Sequence, residues 1–325
     1  MNAKIYICYR EKKITTLVSL LIIFICTAQK KYAKAFDFLN DNDLYISTRQ
    51  DRYYTNGMFF SYRYLSTQKE QKLEKKIYEF QLGHHMYSPF KATVQMHGDH
   101  DRPFAAYLYG GFGINYFKEH SIIKTSIKTG VIGSYAFGWE LQDFIHDLYG
   151  FKKAIGWKYQ IKNAFGLDIG VDYIKHLATD ASNRYDINWV NSVKIGTVFT
   201  DISTGFYLRA GFKPLQKLIN SIAFGGNLNN DTTNHTNKIE AFLYTKPILS
   251  YIFYDATIEG SFLNNSSPIT FDVNPFKFSL ETGIKFTSNR FTFGYTIHYH
   301  TKKLKSIRVP NGNFYGAIQC NYLFN

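Results

Sequence analysis

Residues 290–301 read RFTFGYTIHYHT, and their alternation decides the fold class. Phe291, Phe293, Tyr295, Ile297 and Tyr299 fall on one face of an extended chain, with Thr292, Gly294, Thr296, His298 and His300 on the other, because successive side chains of a strand point to opposite sides. A stretch apolar on one side and polar on the other, about ten residues long, is what a tilted strand needs to cross a membrane with lipid outside and a polar interior. Residues 276–286, 238–244, 206–212 and 313–324 repeat the pattern less cleanly, and residues 75–85 do so with Ile77 out of phase with Tyr78, Phe80 and Leu82. Short turns such as Ser288-Asn289 alternate with longer polar loops such as residues 227–237, NLNNDTTNHTN. An outer-membrane barrel places its short turns on one side and its long loops on the other. The last strand carries Phe324 as the penultimate residue, close to the terminal aromatic that marks many such barrels for assembly, with Asn325 a slight departure.

Composition agrees. Aromatic residues make up 18% of the 325, with 29 Phe and 26 Tyr, yet the mean hydropathy is only -0.25. A soluble β-sandwich can share that profile, so the N-terminus weighs in. Lys4, Arg10, Lys12 and Lys13 precede an apolar run over residues 14–28, ITTLVSLLIIFICTA, too short for a comfortable membrane span and laid out like a cleaved secretory signal. Cleavage after Ala28 is expected, with Ala35 as a second position; Ile25 before Cys26 argues against a lipoprotein signal. No later run reaches eighteen apolar residues, so the chain after the leader, residues 29–325, is read as one all-β transmembrane antiparallel β-barrel. Cys8 and Cys26 lie in the leader, leaving Cys320 alone and excluding an intrachain disulfide; a closed ladder of backbone hydrogen bonds needs no such staple. The formal charge of +13 is scattered along the chain. In a secreted protein it points away from nucleic acid and towards the phosphates of lipopolysaccharide.

One segment breaks the alternation. Between Trp139 and Ile161, the spacing of Leu141, Phe144, Ile145 and Leu148 predicts a short amphipathic helix, either a plug or a functional loop. Gln142 and His146, four apart, share a helical face and can point at one site; an isolated surface His is otherwise simply solvated. The run Asn40, Asp41, Asn42, Asp43, followed by Thr55, offers the hard oxygen donors that Ca²⁺ takes, although such a run is also ordinary turn chemistry. The sequence has no EF-hand spacing, zinc pattern, GxSxG elbow or phosphate loop, which leaves metal-assisted hydrolysis with a His base as the chemistry to consider.

Four blocks in order resemble the lipid A 3'-O-deacylase family of the outer membrane. They are Asn42-Asp43; Tyr54-Thr-Asn-Gly57, within DRYYTNGM at residues 51–58, and its strand; Tyr87-Ser-Pro89 with Asp101-Arg-Pro-Phe104; and Gly130-Val-Ile-Gly133 leading through Glu140, Gln142 and His146 to Trp157. The resemblance implies a twelve-stranded barrel with a short helical active-site insertion, acting as a monomer on lipid A. His146 would activate water, with Ca²⁺ held near Asn42 and Asp43, and Thr55 and Gln142 completing the site. Asn40-Asp41 is a second register for the Asn-Asp pair, less favoured because the apolar Leu44 directly follows Asp43. Two departures stand out: Lys91 does not match the spacing of the family's lysine after Tyr-Ser-Pro, and Lys152-Lys153 replaces an acidic residue after the His. The rival expectations are a noncatalytic barrel or porin, and an outer-membrane phospholipase with a Ser nucleophile.

Overall fold

The computed structural model describes residues 31–325, apart from 47–52, 69, 71–72, 91–92, 95, 151–152, 234 and 236–238. The leader, Lys91 and Lys152 therefore lie outside the described residues. Twelve antiparallel strands close into one barrel: β1 (Lys34–Asn42), β2 (Tyr53–Leu65), β3 (Lys75–Ser88), β4 (Ala105–Lys118), β5 (Ser121–Ile132), β6 (Ala164–Thr179), β7 (Tyr185–Gly196), β8 (Phe199–Gly211), β9 (Ala241–Asp255), β10 (Phe276–Ser288), β11 (Phe291–Thr301) and β12 (Gly312–Phe324). Each strand pairs with its neighbours in sequence, and β12 closes on β1 in a register running from Lys34 opposite Phe324 to Asn42 opposite Gly316. Ala35, the second cleavage position considered, is buried within β1; cleavage there would remove the start of the closing strand. Two helices interrupt the strands, α1 (Gly138–Tyr149) and the single turn α2 (Ala256–Glu259). No helix among the described residues is long and apolar enough to cross a membrane.

The strand that decided the fold class behaves as its pattern requires. Along β11, Phe293, Tyr295 and Ile297 are exposed on the outer face while Thr292 and Thr296 are buried inside. Of the segment read as a strand over 238–244, residues 241–244 open a longer strand, β9, whose continuation through Pro247 obscured the alternation; Lys238 lies outside the described residues. The out-of-phase Ile77 has a physical cause: it is fully buried and faces inward.

That cause is a plug. The connection between β8 and β9, residues 212–240, leaves from the same end as the chain termini and folds into the lumen. Its Leu218, Ile222, Phe224 and Leu228 pack against inward-facing Leu65, Ile77, Phe117, Ile122 and Phe242, so these barrel positions are apolar where an open lumen would be polar. Lys75 Nζ donates to the carbonyls of Ile219 and Gly226 at 3.0 and 2.7 Å and to Asn220 Oδ1 at 2.6 Å, while Arg63 holds Asp37 and the Gly225 carbonyl. Arg209 bridges Asp186 and Glu240, and the Glu240 carboxylate accepts from Ile222 N and Ser221 Oγ. Above the plug remains a cavity of about 200 Å³, lined in part by Asp37, Arg63, Glu79, Lys124 and Lys285.

The polar loop at 227–237 thus sits on the short-turn side, which corrects the expectation that all long loops share the opposite end; an inserted segment is retained there because it buries its apolar residues in the lumen. A plugged lumen also disfavours the porin reading. Lys75→Met leaves three acceptors without their donor, a cost of about 2–4 kcal/mol. It is expected to lower thermal stability and to produce ion conductance in planar bilayers where the unaltered protein is silent.

Candidate active site

Alternation along the first three strands fails at one level. The outward positions of β1 run Phe36, Phe38, Asn40, Asn42; those of β2, from the other direction, run Tyr64, Tyr62, Phe60, Met58, Asn56; those of β3 run Tyr78, Phe80, Leu82, His84. Polar residues thus replace lipid-facing aromatics at the end of the barrel opposite the termini, and there the wall is covered by extracellular-type loops.

At the top of β1, the Asn42 side chain accepts from Leu44 N at 2.8 Å and caps a single 3₁₀ turn, Asp43–Tyr45, in which Asp43 is buried. This turn folds back over the outer face of the wall. Tyr45 donates to Asn40 Oδ1, and the Tyr45 carbonyl accepts from Tyr295 at 3.0 Å. Asp41, by contrast, faces the lumen, where the Tyr54 hydroxyl donates to its Oδ2 at 2.8 Å. The two possible Asn-Asp registers therefore differ in setting: Asp41 faces the lumen from within β1, while Asp43 is buried in the turn whose Tyr45 lies over the outer face.

β2 starts with Tyr53 at φ 66°, a left-handed conformation costing about 1–3 kcal/mol for such a residue. Arg102 holds it there by donating to its carbonyl, while its hydroxyl donates to Asp101. Arg102 also stacks over Tyr87 and donates to Thr257 of α2, so the Asp-Arg-Pro-Phe block is a structural clasp for the rim. A β-bulge between Tyr54 and Asn56 follows, the kind of irregularity that re-aims a side chain beside a site. The ring of Tyr54 lies so close over Gly57 that a Cβ there would meet its hydroxyl, which explains why glycine ends this block. Bulged Thr55 shares a hydrogen bond with Ser88 Oγ at 2.6 Å. Asn56 sits opposite Asn42 on one side and Met86 on the other; it is buried, and its Oδ1 has no hydrogen-bond partner.

Between β5 and β6, α1 packs on the outside of the wall. It starts after Phe137, which is left-handed, and ends at Gly150, also left-handed, whose N–H bonds the His146 carbonyl. A Cβ on Gly138 would strike Ala106 and Trp157, so glycine allows the close approach of helix to strand. Beneath lies a cluster of Met86, Phe104, Ala106, Ala136, Ala154 and Trp157. The helix turns polar side chains to the wall: Gln142 and His146 are 1% and 4% exposed, while Phe144 and Leu148 are 66% and 69% exposed on an outer face that also carries exposed Glu140 and Asp147. His146 is thus not a solvated surface residue. Trp157 Nε1 donates to Gln142 Oε1 at 2.6 Å, which fixes the amide oxygen and turns its NH₂ group away from the indole.

Strand register links the two halves: Asn42, Asn56 and Met86 stand in a row across β1, β2 and β3, spanning about 10 Å at the usual strand spacing, and Met86 is part of the cluster under α1. All five residues singled out in the sequence, His146, Gln142, Asn42, Asp43 and Thr55, lie at this rim. Three further residues belong to the same surroundings: Asn56, Ser88 and His84, whose Nε2 bonds the Ala136 carbonyl at 2.8 Å just ahead of α1. The signal that could have found Asn56 and His84 is a polar residue in the lipid-facing phase of a strand. Another rim histidine, His100, is buried against Phe104 and Tyr159, and that burial holds its imidazole below the ordinary range. Lys153 forms an ion pair with Asp143 at 3.0 Å.

Among the described residues no group of three or more His, Cys, Asp or Glu side chains converges. A metal here would draw on amide and backbone oxygens beside Asp43, which is calcium's chemistry rather than zinc's. The buried, unpartnered Oδ1 of Asn56 next to Asn42 fits that donor set. Replacing His84 with Leu leaves the Ala136 carbonyl without its donor, a cost of about 1–3 kcal/mol, and is expected to speed proteolytic cleavage within residues 133–163 while the barrel core stays protected.

Residues 15–324 match a family described as outer membrane protein LpxR. Among solved structures, LpxR from Salmonella typhimurium is similar at a TM-score of 0.70 and 19% identity, over 89% of this chain and 100% of that one. The β domain of the Bordetella autotransporter Brka gives a TM-score of 0.45 at 8% identity, over 91% of this chain and 99% of that one. No curated protein matches the chain.

Proposed function

The chain belongs to the LpxR outer-membrane protein family and to the bacterial outer membrane, and from that premise we propose that it is a Ca²⁺-dependent esterase that removes the 3'-linked acyl chain of lipid A. The observation that carries this reading is a polar patch placed on the outer side of a barrel wall, roofed by a helix whose buried polar side chains, among the described residues, are Gln142 and His146. Asn40, Asn56 and His84 in this patch are buried beneath the covering loops, since a polar group open to lipid would cost free energy. The end bearing the termini and short turns is periplasmic, so the patch lies at the level of the outer leaflet, where lipid A resides. Exposed Lys158 and Lys162 flank it and suit anionic phosphates.

In this reading His146 takes the proton of a water as it attacks the ester carbonyl and returns it to the leaving sugar oxygen. Gln142, pinned by Trp157, orients the reacting groups, and Thr55 with Ser88 supplies hydroxyl hydrogen bonds at the wall. Asp43, Asn42 and Asn56 would hold the calcium ion, which when bound supplies Lewis acidity at the carbonyl oxygen. The protein acts as a monomer, since one chain contributes every group named.

The test incubates purified protein in detergent with lipid A and with phospholipid, in Ca²⁺ or in EDTA, and identifies products by mass spectrometry. Loss of the 3' chain in Ca²⁺ alone supports the proposal. Fatty acid released from phospholipid, and abolished by Ser88→Ala, would replace it with a serine lipase; no lipolysis with either lipid would leave a noncatalytic barrel.

A further inference from the structure

Directly below the α1 cluster, the outer wall has a dent. Outward positions across β2, β3, β4 and β5 form rows, and in the row Phe60, Leu82, Gly110, Thr129 the last two are small. The row beneath carries Phe80 and Phe112, whose rings are 5.1 Å apart; the row above carries Leu108 and Val131, which pack against the Trp157 cluster. The result is a groove of about 580 Å³ on the lipid-facing surface. Its lining spans two rows of outward positions, Phe60, Leu82 and Thr129 above and Tyr62, Phe80, Phe112 and Ile127 below, and starts one row, roughly 7 Å of strand, beneath Leu108 and Val131. A Cβ added at Gly110 would meet nothing within 4 Å, so no packing constraint calls for glycine there.

We propose that this groove seats the 3'-linked acyl chain of the substrate, a specificity subsite that rests on the deacylase reading. An ester held at the polar rim beside His146 has its hydrocarbon tail leaving towards the bilayer, and the wall under α1 offers it a path that stays against the protein. Leu108 and Val131, packed under the Trp157 cluster, are the apolar row between the groove and the rim, and the groove's walls are mostly aliphatic and aromatic, matching a saturated chain. Its lower edge, Phe80 with Phe112, sets how far a chain can lie in contact before it must leave the surface.

The Cβ of Gly110→Phe meets no neighbour within 4 Å and its ring projects into the dent; its folding is checked by heat-modifiable migration of the barrel. With lipid A variants differing in 3' chain length, the substitution is expected to lower release of long chains by about tenfold, the scale of hydrophobic pocket discrimination, while short chains are released nearly as before. An unchanged chain-length profile overturns the groove and leaves the deacylase reading standing. Should the unaltered protein release no acyl chain, that reading fails, and a second measurement still decides the groove: lipid A with a diazirine in its 3' chain, photolysed on the His146→Ala protein in nanodiscs. Labelling concentrated on β3, β4 and β5 and lost in Gly110→Phe supports the subsite; labelling spread evenly around the belt overturns it.

Discussion

His146→Ala is expected to lower 3' acyl release by about 10²–10⁴-fold, the range that a positioned general base contributes, while the barrel keeps its heat-modifiable migration and its thermal stability changes little. The expectation of a small structural effect follows from where the residue sits. It lies on the buried face of a helix that is anchored independently, by Gly138 against Ala106 and by Trp157 on Gln142. His146→Gln is the companion variant: it keeps size and hydrogen bonding but cannot accept the water's proton at neutral pH. Steady-state turnover measured with lipid A separates the outcomes. Activity retained in both variants would remove the imidazole from the chemistry, and loss in Ala with recovery in Gln would make His146 a positioning residue.

Asp43→Asn, or chelation of divalent cations, is expected to cost about 10²–10³ in turnover, comparable to losing a principal oxyanion-stabilising group. An independent readout is thermal unfolding. A cation present at a hundred times its dissociation constant stabilises the folded state by about 2.7 kcal/mol, so added Ca²⁺ should raise the unfolding temperature of the unaltered protein and of His146→Ala, and fail to do so for Asp43→Asn. Asn56→Leu should weaken the same shift, because it removes a buried oxygen with no other partner. Equal calcium stabilisation of all four proteins would place the ion elsewhere.

How much of this was legible beforehand differs between wall and lumen. Residues 290–301 alternate cleanly because β11 faces lipid on one side and polar lumen on the other along its length. Residues 75–85 do not, because Ile77 meets the plug, an environment made by a segment more than a hundred residues later in the chain. For the same reason the loop at 227–237 was assigned to the wrong end: its polar composition is that of an exposed loop, while Leu218, Ile222 and Phe224 before it are what take the segment into the barrel. The helical spacing over residues 139–161 located α1, yet its orientation was not readable. Amphipathicity tells which faces differ, and only packing against Ala106 and Trp157 shows that the side with Gly138, Gln142 and His146 is the one turned to the wall.

By itself, the sequence determined that the chain is an outer-membrane barrel of lipid-facing strands, since period-two patterning is a local consequence of strand geometry and needs no knowledge of partners. It also supplied the Asn-Asp pair, the bulged Thr and the Gln-x-x-x-His helix. Only the tertiary structure separated the two nearby carboxylates, because Asp41 stays in β1 facing the lumen while the strand ends at Asn42 and carries Asp43 into the turn that follows. It alone brought Asn56 and His84 into the site and opened a groove at Gly110, since those depend on what lies across neighbouring strands, which a linear pattern does not contain.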